Sequence, residues 1–303
     1  MTDHSDEHRA ADTTRKAPGN STTADVRISF KRWLVKNVRN PYVVFTSLVQ
    51  PVIFFILFVE VFGAIADGAL AGVFGSDISY VTYLSPAIII MSTLSSAATS
   101  GIGLVDDMEA GMFDKMRVSP MSNSAMLFGK VLSEVTRIVA QTLLILLLGY
   151  LLLAVKHGVA FDQYLRTGVA GLIGVVLVTV IFGGVFMAYS NIVALVSRDQ
   201  EATILFANLL TFPLLFISSA FLPLSTLPEW IQTLAVLNPI TYGVDAVRAV
   251  MLGENLMTVI DVTAFSGIWN TVVPAVGVLV AYAALLGTVA IRLLRRASKR
   301  AVQ

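Results

Sequence analysis

Asp106, Asp107 and Glu109 stand close together, and Asp114, Lys115 and Arg117 follow within the next eight positions. The chemistry such a run supports is charge-assisted recognition of another surface. Apolar Met112, Phe113, Met116 and Val118 alternate with the second set of charges. Positions 112, 113 and 116 share one helical face, so Val105–Pro120 offers a short helix able to lie on a membrane or dock in a groove. Pro120 disfavours helix at Ser119. A solvated connector is the alternative reading of this charged island.

A second constellation runs from Phe221 to Arg248. Ser225 or Thr226 is placed to cap a helix opening near Pro228, with Trp230 in its first turn. Asn238-Pro239 breaks that helix, and a second runs from Thr241 to Met251 and ends at Gly253. Each piece has about ten residues, or ~15 Å of helix, too short to cross a bilayer. The two could dip into one leaflet and return, or they could be surface helices on an external loop. Asp245 and Arg248, at i and i+3, can pair on one face.

Other chemistries are excluded by absence. There is no cysteine, hence no disulfide, thiolate metal site or thiol nucleophile, and the three histidines (His4, His8, His157) are scattered. Gly129-Lys130 is followed by Val131 and preceded by no matching glycine, so no phosphate-binding loop is formed. No G-x-S-x-G or H-E-x-x-H occurs, nor a paired intramembrane Asp or a ring of acids. The net charge of +1 gives no reason to expect nucleic acid.

The elements that must hold these residues are membrane helices. The chain is 56% hydrophobic and 14% charged, against about 25% charged in soluble domains. Six segments are apolar for the ~20 residues a span requires: Tyr42–Gly63, Tyr80–Leu104, Ala125–Val155, Thr167–Val196, Thr203–Leu222 and Trp269–Leu294. Pro51 predicts a kink in the first. The third opens with Lys130, Glu134 and Arg137, which predicts that its first turns stand in the interface or in water. Glu60 falls near the outer end of the first span, where water can reach it. Gln141, Asn191 and Asn208 suit hydrogen bonds between helices. Gly168, Gly171, Gly174, Gly183 and Gly184 suit close helix packing.

Lys and Arg set the orientation. Arg27, Lys31, Arg32, Lys36 and Arg39 precede the first span. Lys115, Arg117, Lys130, Arg137 and Arg198 fall on the same side, as do Arg292, Arg295, Arg296, Lys299 and Arg300. The opposite side holds Lys156, Arg166 and Arg248. Both termini and the charged island are therefore expected in the cytoplasm. Val26–Asn40 reads as an amphipathic interfacial helix, with Val26, Phe30, Trp33 and Leu34 on one side, Trp33 at headgroup depth, Arg32 on the basic flank and Pro41 as its stop. It serves as an anchor or as a mechanical link. Residues 1–25 read as a disordered cytoplasmic tail without a signal peptide, and 297–303 as a basic tail.

Glu109-Ala-Gly111, Arg117-Val-Ser-Pro120 and Gly129-Lys130 resemble the segment between spans two and three of the membrane-spanning permeases of type-2 ABC transporters. Leu222-Pro-Leu, Leu227-Pro-Glu-Trp230 and Asn238-Pro-Ile-Thr-Tyr-Gly-Val-Asp-Ala-Val-Arg248 resemble the segment between spans five and six. The likeness covers roughly residues 26–296 and is closest in pattern to drug-resistance and antibiotic-export permeases. Met112 departs from it, because the family usually has Thr after Glu-x-Gly.

The resemblance implies an all-α fold: a connecting helix with Phe30, Arg32 and Trp33, six spans, a cytoplasmic coupling helix, and an outer re-entrant pair. Coupling falls to Asp107, Glu109, Gly111, Met112, Phe113, Lys115, Met116 and Arg117. The re-entrant segment holds Pro228, Trp230, Asn238, Pro239, Tyr242, Asp245 and Arg248. It also implies that two permeases pair and that each engages an ABC ATPase subunit carrying ATP and Mg, with no cofactor on this chain and lipid around it. The expected function is a permease subunit moving a hydrophobic drug-like or lipid-linked molecule outward across the plasma membrane, not an enzyme. A secondary carrier or channel is the rival, disfavoured by spans nearly free of acids.

Overall fold

The computed structural model describes residues 21–39, 41–74, 78–111, 123–158, 160–260 and 262–300. Among them the chain is helical and carries no strand. α1 is Thr22–Arg39, α2 Pro41–Phe74, α3 Tyr80–Glu109, α4 Asn123–His157 and α5 the single turn Phe161–Tyr164. Then come α6 at Gly168–Ser197, α7 at Gln200–Phe216, α8 at Glu229–Ala235, α9 at Pro239–Leu252 and α10 at Trp269–Arg300.

α3 is the hub and packs on α2, α4, α6, α7 and α9. Its apolar centre, Tyr83 to Met91, is buried throughout, and its other half is rich in Ser, Thr, Ala and Gly. Small residues let helix backbones approach closely where lipid offers no hydrophobic drive between helices. A Cβ on Gly101 would collide with Ser190 of α6. Instead the Gly101 amide donates to Ser190 Oγ at 3.0 Å, and that hydroxyl donates to the Ala98 carbonyl at 2.6 Å. Ser85 and Thr93 return their hydroxyls to the carbonyls of Val81 and Ile89, so these two buried hydroxyls are satisfied within the helix itself.

The expected spans map onto the helices with informative differences. Among the described residues, five helices are long and apolar enough to cross a membrane: α2, α3, α4, α6 and α10. α7 has 17 residues, roughly 25 Å of helix against a core of ~30 Å. The apolar run expected at Thr203–Leu222 therefore does not stay helical to its end. Pro213 lies in its last turn, and the chain turns at 217–221. The side-chain amide of Asn238 donates to the carbonyls of Leu214 and Ile217, at 2.6 Å each. Those bonds take up carbonyls that the helix end leaves free.

α1 starts at Thr22, so its first turn occupies the end of the region read as tail, and α10 carries helix through 297–300. Of the glycines read as packing positions on α6, Gly171 and Gly174 abut Val250 of α9 and Gly183 abuts Ile138 of α4. Gly168 instead opens the helix with a left-handed φ of 60°, and Gly184 faces open space.

Candidate coupling and transport site

α1 does not present Trp33 to headgroups. Its buried residues are Asp25, Ser29 and Trp33, an i, i+4, i+8 line that faces the bundle. Ile28, Val35 and Val38 are exposed instead, and Phe30 and Arg32 are intermediate. The physical reason is Gly129 of α4. A Cβ there would lie 2.5 Å from Ser29 Cβ, so the missing side chain lets α1 cross α4 closely and roll its indole inward. Trp33 then meets Gly103 of α3 edge-on and sits beneath three cations. Lys36 Nζ, Arg32 Cζ and Lys130 Nζ lie 4.7, 5.3 and 5.4 Å from the ring, within cation–π range.

The acids closing α3 hold this arrangement. Arg32 donates to Asp107 at 3.5 Å, and Lys36 lies 3.4 Å from Asp106 and 3.6 Å from Asp107. Gln200, at the start of α7, donates to Asp106 at 2.7 Å and to Glu109 at 3.1 Å. Gly111 follows in the left-handed region at φ 63°, where a side chain would be strained, and α3 ends there. Of the expected coupling residues, Asp107, Glu109 and Gly111 are therefore placed at the end of α3. Met112, Phe113, Lys115, Met116 and Arg117 lie outside the described residues.

Lys130 and Glu134 are buried and Arg137 is half-buried, contrary to the expectation for the start of the third span. Lys130 lies 3.7 Å from Glu134, with both side chains under a tenth exposed. It also donates to the Ser100 carbonyl at 3.0 Å and to Asn191 at 3.4 Å, and Ser100 donates to Glu134 at 2.9 Å. Arg137 donates to the hydroxyl and carbonyl of Ser96 and to Thr99. The i, i+4 and i, i+3 spacings of the three charges, opposite the Ser96, Thr99, Ser100 run on α3, carried the signal for this network. Reading the charges as interfacial concealed it.

Between α1, α2, α3, α4 and α7 lies a cavity of about 650 Å³, a size that suits small molecules. Trp33, Lys36, Glu134 and Arg137 stand in its wall with Met91 and Phe212. Asn208 lines it too rather than bonding between helices.

The second expected segment forms a closed structure. α9 is buried except at its start and receives its cap from Asn238, whose side-chain oxygen accepts from the Ile240 amide at 2.9 Å, with Pro239 at the first helical position. Pro228, rather than Ser225 or Thr226, precedes α8, and no side chain caps that helix. Ser225 and Thr226 are drawn into a 3-10 turn, in which Thr226 donates to the Pro223 carbonyl. Trp230 is 61% exposed. Tyr242 donates to the Val236 carbonyl. Asp245 and Arg248 do pair, 3.6 Å apart and out of solvent. Asp245 accepts from Ser219 and twice from Thr258, while Arg248 donates to the Tyr83 and Ser219 carbonyls and stacks 3.8 Å above the Tyr83 ring. The other basic residues expected at this end are paired as well, Lys156 with Glu60 at 2.8 Å and Arg166 with Glu254 at 2.9 Å.

The family model of the ABC-2 type transporter matches residues 24–252. The daunorubicin resistance ABC transporter permease protein DrrB1 of Streptomyces coeruleorubidus is 28% identical over 206 residues, 68% of this chain and 67% of its own length. The putative transport permease ycf38 of Cyanophora paradoxa is 26% identical, over 72% of this chain and 71% of its own length. The probable doxorubicin resistance ABC transporter permease protein DrrC of Mycobacterium tuberculosis is 24% identical, over 78% and 79%.

Proposed function

The chain belongs to the ABC-2 type transporter family, and from that premise we propose that it is the membrane permease of an ATP-driven exporter, paired with a second permease and driven by separate ATPase subunits. Both termini and the turn after α3 face the cytoplasm, and the short α7 with its continuation into 217–221 makes the sixth crossing. α8 and α9 form the outer re-entrant pair. The substrate is a hydrophobic drug-like or lipid-linked molecule carried outward; a drug-like cargo agrees with the daunorubicin and doxorubicin resistance in the names of two relatives.

One observation carries the coupling reading. The acids ending α3 are tied to α1 through Arg32 and Lys36 and to α7 through Gln200. A push applied by an ATPase at 107–117 would therefore move α1, α3 and α7 together, and all three line the cavity. Such rigid-body transmission is how ATP binding would rock the spans, with phosphoryl chemistry left to the partner.

The test is co-purification with a candidate ATPase followed by assay of stimulated hydrolysis and export. Glu109→Ala, Gly111→Leu and Phe113→Ala are expected to weaken the complex and its stimulation. Unchanged assembly and turnover in all three would remove the coupling role. Transport by the purified chain alone on an ion gradient would replace the exporter reading with that of a secondary carrier.

A further inference from the structure

Building on the exporter reading, we propose that the cavity between α1, α2, α3, α4 and α7 receives an amphipathic anion. Its carboxylate or phosphate head meets Arg137, and its apolar body lies along α3 and α7. The argument is a balance of charge. Lys130 faces Glu134, Lys36 faces Asp106 and Asp107, and Arg32 faces Asp107, each within 4 Å. Among the described residues Arg137 has no such acid. Its Nε donates to Ser96 Oγ at 2.8 Å, and its Nη2 donates to the Ser96 carbonyl at 2.7 Å and to Thr99 Oγ1 at 2.5 Å. All three acceptors are neutral. A guanidinium carries five N–H donors in a fixed fork, and these bonds hold the fork in place without using Nη1.

Glu134 shares that wall, but Lys130 and Ser100 occupy its two oxygens. Of the four charged residues that line the cavity, Lys36 faces Asp106 and Glu134 faces Lys130 behind it, which leaves the positive charge of Arg137 without an acid within 4 Å. A cationic guest would meet that charge unfavourably, and a neutral one would leave it uncompensated away from bulk water. An anion neutralises it with a planar, bidentate partner of the kind arginine suits. The cavity is also lined by Met91, Ile102, Ile204, Ala207 and Phe212, which offer an apolar tail a surface to bury. Two sources supply this chemistry: an anionic membrane lipid and an exported lipophilic acid.

Trp33 stands in the same wall and reports occupancy. The full-length permease with Trp230→Phe and Trp269→Phe keeps Trp33 as its only tryptophan. In neutral detergent, a brominated long-chain carboxylic acid is expected to quench Trp33 saturably, with its methyl ester at least about tenfold weaker, the scale of a lost charge-assisted hydrogen bond. Arg137→Gln is expected to bring the acid down to the level of the ester, and Arg137→Lys to restore part of the difference. In nanodiscs, quenching by brominated phosphatidylglycerol but not by brominated phosphatidylcholine, abolished by Arg137→Gln, assigns the site to lipid. Without that contrast, the acid result assigns it to a lipophilic acid.

Equal quenching by acid and ester overturns the proposal, and so does an Arg137→Gln profile identical to that of the parent. Should Arg137→Gln fail to fold, the acid–ester comparison on the parent still decides. The measurement uses neither ATP nor an ATPase. Loss of acid selectivity therefore leaves the exporter reading standing, and failed ATP-driven export leaves the binding result intact.

Discussion

Arg248 and Arg137 are both drawn into the helix bundle, and their surroundings treat them oppositely. Arg248 is 1% exposed and meets Asp245, two carbonyls and an aromatic ring. Asp245 in turn is filled by Ser219, Thr258 and the arginine. Nothing in that node is left to offer a ligand, and its role is to bind α9 to α3 and to the turn after α7. Arg137 is only partly buried, borders a cavity, and its hydrogen-bond acceptors are all neutral, with no acid within 4 Å among the described residues. A balanced charge builds structure, while an unbalanced one at a cavity wall is available for recognition. The same contrast separates the two ends of the molecule. Lys156, Arg166 and Arg248 each have an acid, whereas the network of Lys130, Glu134 and Arg137 at the end bearing α1 leaves Arg137 without one inside 4 Å.

Breaking the Arg248 node gives the largest expected effect. Asp245→Ala leaves a buried guanidinium without its acid, which costs about 3–5 kcal/mol. The purified protein should lose its cooperative thermal transition or show it far lower, and Asp245→Leu with Arg248→Met should recover part of the loss. A single mutant that melts like the parent would mean that the pair is not what fastens α9.

Asn238→Ala comes next. It removes a helix cap and leaves the Leu214 and Ile217 carbonyls without their donor, a loss of about 2–3 kcal/mol, read in the same melting experiment. Gly129→Ala should cost about 1–3 kcal/mol, because its Cβ meets the α1 backbone, 2.7 Å from the Phe30 nitrogen. Limited proteolysis is the better readout here, with cleavage within α1 expected to quicken while the rest of the bundle holds. Arg137→Gln should move thermal stability least, by within about 1 kcal/mol, because the charge it removes strands no acid. If Arg137→Gln and Arg248→Gln destabilise equally, the contrast between built and available arginines fails.

Local patterns in the chain made α9 readable in advance. Asn238-Pro239 and Gly253 mark its ends through capping and backbone rules that act within a few residues, and helix is found between them. The i, i+3 pair of Asp245 and Arg248 was legible for the same reason. α1 was not. Its hydrophobic side predicts an interfacial Trp33, yet the buried line is Asp25, Ser29, Trp33, because a glycine about a hundred positions later permits a close crossing. The end of α7 was hidden in the same way, since the donor that takes up its carbonyls belongs to Asn238.

The sequence by itself determined the all-helical membrane class, the breaks at proline and glycine, and the asymmetry of basic residues between the two sides. These follow from hydropathy over some twenty residues and from backbone limits at single ones, both of which are local. Only the tertiary structure decided which face α1 turns inward and which acid each cation meets. Arg32 finds Asp107 across 75 positions, and Arg248 finds Tyr83 across 165. Burial and pairing depend on distance in space, so an arginine that lines a cavity with no acid within 4 Å among the described residues, as Arg137 does, becomes visible only in the folded chain.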